Sequence, residues 1–68
     1  MKINKDIRDA VEAHTNLNTF ACVQALLEGG MIYGHNAAAN KIIAICKKEI
    51  IRQLNIYDAA IESAKRGG

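Results

Sequence analysis

From the amino terminus, apolar residues first recur at helical spacing in Ile3, Ile7, Ala10/Val11 and His14. Asn4 is placed to cap this segment, and Asp6 falls in its first turn, where the helix dipole favours an acid. The period predicts a helix over about residues 4–14. Thr15-Asn16-Leu17-Asn18-Thr19 then breaks it with residues that favour caps and turns. A second helix is expected over about 19–33, with Phe20, Val23, Leu27 and Met31 on one stripe. Gly29-Gly30 complicates that expectation. Two glycines inside a helix cost about 2 kcal/mol relative to alanine, and Gly29 is placed to end the helix just beyond Glu28. The apolar period nevertheless continues in phase through Met31 and Gly34, which favours continuation to Tyr33.

Gly34-His35-Asn36 is the expected turn, with Asn36 capping a third helix over about 37–65 that contains no glycine or proline. At 100° per residue, Ala39, Ile43, Cys46, Ile50, Leu54, Tyr57, Ile61 and Ala64 form its seam. Lys41, Lys48, Arg52, Asn55 and Arg66 lie opposite. Arg66-Gly67-Gly68 supplies basic residues and glycine where a helix ends. The third helix spans roughly 43 Å at 1.5 Å per residue, nearly the summed length of the other two. The predicted architecture is all-α: one domain over residues 1–68, a helical hairpin whose first arm is broken near Asn16–Asn18.

One hairpin hides one stripe of each helix, and this chain carries more. Ile42, Ile45 and Ile56 flank the third helix's seam with Ala38 and Ala60, and Ile51 lies on the other side. The second helix adds Cys22, Leu26 and Tyr33. Each buried Ile contributes roughly 1.5–3 kcal/mol, so leaving this surface in water is expensive. Half of the 68 residues are hydrophobic, yet a domain this short buries only about 60% of its unfolded surface. Two cysteines give no disulfide framework, and no zinc-ligand spacing replaces one. Homo-oligomerisation, as a dimer or higher, or a stable complex with a partner is the expected staple. Cys22, Leu26, Tyr33, Ile42, Ile45 and Ile56 are the candidate oligomer or partner interface.

Charge alters this picture little. Nine Lys and Arg against seven Asp and Glu leave a formal +2, short of a strongly basic nucleic-acid-binding domain. Lys41, Lys47, Lys48 and Arg52 nonetheless make a basic stripe that, doubled in a dimer, would track phosphates. Tyr33, His35 and Asn36, beside the amides of Ala37 and Ala38, form a candidate anion or ligand site at a helix start. Gln24, Glu28, His35 and Asn36 within Phe20–Ala39 argue against a membrane span. No apolar stretch resembling a secretory signal opens the chain, so a cytoplasmic location with reduced thiols is expected.

Catalysis is not expected. The seven acids are scattered, with no pair set up to move one another's pKa. Cys22, Cys46, His14 and His35 lack metal-ligand spacing and nothing completes a nucleophile, so no metal and no cofactor is expected. The shape resembles small helical regulators and inhibitors encoded by phages, plasmids and bacterial regulatory systems, a likeness of architecture that carries no site residues. The expected function is a non-enzymatic regulator or inhibitor that acts by protein–protein binding. A nucleic-acid-binding dimer and a phosphate-ligand or nucleotide binder at oligomer interfaces are the alternatives.

Overall fold

The interruption expected at Thr15–Thr19 does not occur. In the computed structural model, which describes residues 2–67 and the side chains of residues 4–67, the chain has two helices rather than three. α1 runs unbroken over Lys2–Glu28 and α2 over Ala37–Gly67. The Thr19 hydroxyl, expected to help start a new helix, donates to the Thr15 carbonyl one turn back at 3.0 Å. Leu17 and Phe20 stay in phase with Ala10 and Ala13 before them and with Val23 and Leu27 after them. Packing along a continuous face outweighs local cap preference. The expected separate helices over 4–14 and 19–33 and the broken first arm therefore give way to one continuous arm. Asn4 lies inside α1 rather than at its cap; the side chain of Ile3, assigned above to the apolar face, is outside the described residues.

α1 also ends earlier than its apolar period suggested. Gly30 adopts φ +69°. Its N–H donates to the Leu27 carbonyl at 3.1 Å, and the Met31 N–H donates to the Leu26 carbonyl at 3.0 Å. Those two bonds are a Schellman motif with Gly30 in the left-handed position. The chain therefore leaves the helix after Glu28, and Met31 falls off the stripe, 75% exposed. Tyr33 and Gly34 follow with φ of +59° and +71°. Asn36 closes the turn as expected: its Oδ1 accepts from the Ala39 N–H at 2.9 Å, and its Nδ2 donates to the Tyr33 carbonyl at 2.7 Å. At the far end, Lys65 and Arg66 occupy the last turn of α2 and Gly67 is still helical. The part assigned to Gly68 lies outside the described residues.

The two helices pack antiparallel into a rod with extents of 47 × 15 × 13 Å. Their seam follows seven-residue steps, the spacing of coiled-coil packing. On α1 these are Asp6, Ala13, Phe20 and Leu27; on α2 they are Ala39, Cys46, Gln53 and Ala60. Near the loop, Leu27, Ala39 and Cys46 form the buried cluster, with Phe20, Val23, Ile32, Ile42 and Ile43 packed on it. Towards the open end, Ala13 and Gln53 line one crevice and Asp6 and Ala60 another. This is a rotation of the expected seam. Gln53 and Ala60 turn inward, while Leu54 is 44% exposed. Ala10 and Ala13 point in, leaving Ile7 and Val11 outside.

Candidate interaction surface

The residue sizes inside and outside the hairpin are inverted relative to an ordinary core. Apart from Leu27, the buried apolar residues are small: Ala10, Ala13, Ala39, Cys46 and Ala60. Small side chains let two helices approach closely, but they remove little apolar surface from water. The large apolar side chains sit outside, among them Ile7, Val11, Ile45, Ile51 and Leu54. Asp6 and Gln53 also occupy the seam, and Asp6 Oδ2 and Gln24 Oε1 are buried without a hydrogen-bond partner. A buried polar atom without a partner costs about 1–3 kcal/mol.

The two long sides of the rod differ in chemistry. On one, Ile7, Val11 and His14 of α1 face Tyr57 and Ile61 of α2 across an open groove of about 340 Å³ at the end away from the loop. The His14 and Tyr57 rings meet there with centroids 5.9 Å apart, tilted by 46°. Leu54, one turn before Tyr57, extends this side towards the loop. On the other side, Asp6, Asp9, Glu12, Asn16 and Arg52 line crevices that also contain Ile56. Lys5 and Asp9 pair at 2.7 Å on α1. That hydrogen bond, with the attraction of the carboxylate, holds the exposed Lys5 ammonium above its ordinary pKa.

The candidate interface residues are spread over the molecule. Cys22 is an exposed free thiol, Leu26 is half-buried, and Tyr33 stands on the loop, 70% exposed. Ile42 packs on the buried cluster, whereas Ile45 is exposed in the same half of α2. Ile56 lies about 16 Å farther along the helix at 1.5 Å per residue. The groove is built instead from residues that the helical period had assigned inward: Ile7, Val11, Tyr57 and Ile61. Ile43, Ile50, Tyr57 and Ala64 have the same seven-residue spacing as Ala39, Cys46, Gln53 and Ala60, so spacing alone does not separate seam from flank.

The candidate nucleic-acid residues Lys41, Lys47, Lys48 and Arg52 are all exposed. Arg52 pairs with Glu49 at 3.2 Å. Tyr33, His35 and Asn36 share the loop, where the Asn36 amide is engaged at both its oxygen and its nitrogen. The His35 ring lies over Gly30, its Cδ2 only 2.8 Å from where a Cβ on that glycine would sit. Cys46 is a buried free thiol and Cys22 an exposed one. Among the described residues, no group of three or more His, Cys, Asp and Glu side chains is placed to hold a metal ion, and no helix is long and apolar enough to cross a membrane. No family model matches the chain, and no curated protein or solved structure matches it.

Proposed function

We propose that this chain is a small non-enzymatic binding protein, acting in the cytoplasm as a regulator or inhibitor, that self-associates and engages a protein partner. The observation that carries the reading is the inverted size pattern. A seam whose buried apolar residues are mostly alanines leaves large aliphatic side chains on two exposed flanks, and surface of that kind marks interaction sites in small proteins. Tyr33 adds to it on the loop. An aromatic residue held at φ +59° and exposed to solvent is a strained, presented side chain, and Tyr is enriched in interface cores. Size-exclusion chromatography with light scattering tests the reading. The expected mass is a multiple of 7.4 kDa; a monomer at every concentration contradicts self-association. Capture from a host lysate on immobilised wild type, compared with Tyr33→Ala, tests the partner arm.

A second reading, nucleic-acid binding, draws on the exposed ammonium groups of Lys41, Lys47 and Lys48. The ion pairs among the described residues join Lys5 to Asp9 and Arg52 to Glu49, leaving those three lysines without one. Binding of this kind weakens steeply with salt, and Lys48→Glu should weaken it without loss of helix. Salt-insensitive or absent binding to both DNA and RNA removes this reading.

A further inference from the structure

We propose that a second copy of this chain docks on the flank formed by Ile7, Val11 and His14 of α1 with Leu54, Tyr57 and Ile61 of α2, giving a two-fold dimer. The proposal rests on the self-association read above and names its face. Three observations support it: one calls for an occupant, and two select this flank. The first is area. A compact monomer of 7.4 kDa exposes about 4,200 Å² by the usual scaling, whereas the rod exposes 4885 Å². The surplus of roughly 700 Å² is close to the ~800 Å² that each partner gives up in a standard interface.

Charge supplies the second observation. A two-fold interface sets a patch against its own copy, so each residue lies near its symmetry mates. The flank that carries Asp9 and Glu12 also carries Lys5 and Arg52, ionised groups that a dimer would have to desolvate twice over, and interface cores are depleted in charge. The flank with Ile7 and Val11 continues along α1 through Asn18, Ala21 and Ala25 to Glu28. On α2, Asp58 and Lys65 follow one turn after Leu54 and Ile61. Its centre is therefore apolar, and its few charges are of both signs. Set against its own copy it does not confront one sign with itself, and its alanines let a neighbouring helix approach closely. Anchoring is the third. The groove already pairs His14 with Tyr57, and the amphipathic Tyr ring gives up apolar area at small entropic cost while keeping a hydroxyl for the rim.

Sedimentation equilibrium tests the proposal on wild type, Val11→Asp, Leu54→Glu and Ile45→Glu, with circular dichroism reporting helix content for each. All three sites are exposed in the hairpin, at 61%, 44% and 58%, so the folded monomer tolerates a charge at each. Wild type is expected to be a dimer. Val11→Asp and Leu54→Glu should each raise the dissociation constant by about tenfold or more, because a carboxylate would be carried into an apolar interface. Ile45→Glu, on the other flank, should leave it within about twofold. If Val11→Asp loses helix, Leu54→Glu decides the question. A wild-type chain that stays monomeric overturns both this proposal and the self-association beneath it. A dimer broken by Ile45→Glu and indifferent to Val11→Asp and Leu54→Glu overturns the face alone.

Discussion

Replacing Gly30 with alanine has opposite effects on stability depending on where α1 ends. Were the helix continuous to Tyr33, Gly30→Ala would stabilise the protein by about 1 kcal/mol, the difference in helix propensity between the two residues. In the Schellman motif Gly30 has φ +69°, and a Cβ there meets the preferred handedness of L-residues at a cost of roughly 1–2 kcal/mol. The added methyl also meets the His35 ring, with Cδ2 at 2.8 Å and Cε1 at 3.0 Å. His35 is exposed, so its ring can swing aside and the collision adds less than the backbone does. A net loss of about 1–2 kcal/mol in a domain of this size lowers the melting temperature by about 4–16 °C. Far-UV circular dichroism melts at one fixed protein concentration measure this. Gly30→Ala combined with His35→Ala should recover only the collision's share of the loss. Gly34→Ala, with φ +71° and no neighbour near the new methyl, should show the backbone cost alone, again about 1–2 kcal/mol. Gly29→Ala, whose nearest neighbour is the Ala25 carbonyl at 3.4 Å, should stay within about 0.5 kcal/mol of wild type. A Gly30→Ala protein more stable than wild type would refute the assigned helix end.

Three further substitutions probe the loop and the seam. Tyr33→Gly relieves a positive φ and should raise stability by about 1 kcal/mol in urea denaturation, while weakening capture of a partner. Asn36→Ala removes the oxygen that accepts from Ala39 and should cost about 1 kcal/mol; unchanged stability would show that the cap contributes nothing. Asp6→Leu replaces a seam carboxylate whose Oδ2 has no partner. It should stabilise by about 1–3 kcal/mol, and a loss of stability by chemical denaturation would mean that Asp6 is satisfied in solution.

The sequence made the helical content, the hairpin and the Asn36 cap legible because each rests on a local rule. A side chain two or three residues from the backbone group it satisfies leaves a short signature, and Asn36 with Ala39 is such a case. The extra helix came from another local rule that lost. Thr15, Asn16, Asn18 and Thr19 favour caps, but Thr19 fits inside the helix by bonding back to the Thr15 carbonyl, and Leu17 and Phe20 hold the seam in phase. Hydrophobicity does not locate the seam. Gln53 and Asp6 occupy inward positions while Leu54 and Ile7 turn outward, an assignment no apolar period can make. The groove is hidden from the sequence for the same reason: the apolar period puts Tyr57 and Ile61 in the seam that Gln53 and Ala60 take. Tyr33, by contrast, emerged from the sequence as a candidate, but its backbone strain is a property of the folded turn.

Self-association is the central claim, and thermal melting across a concentration series tests it most directly. If folding is coupled to dimerisation, a hundredfold increase in protein concentration stabilises the folded state by about 2.7 kcal/mol of dimer through mass action. The melting temperature should then rise with concentration, alongside a native mass twice the 7.4 kDa of one chain. A melting temperature that stays flat across the series, with a mass of 7.4 kDa throughout, would contradict it.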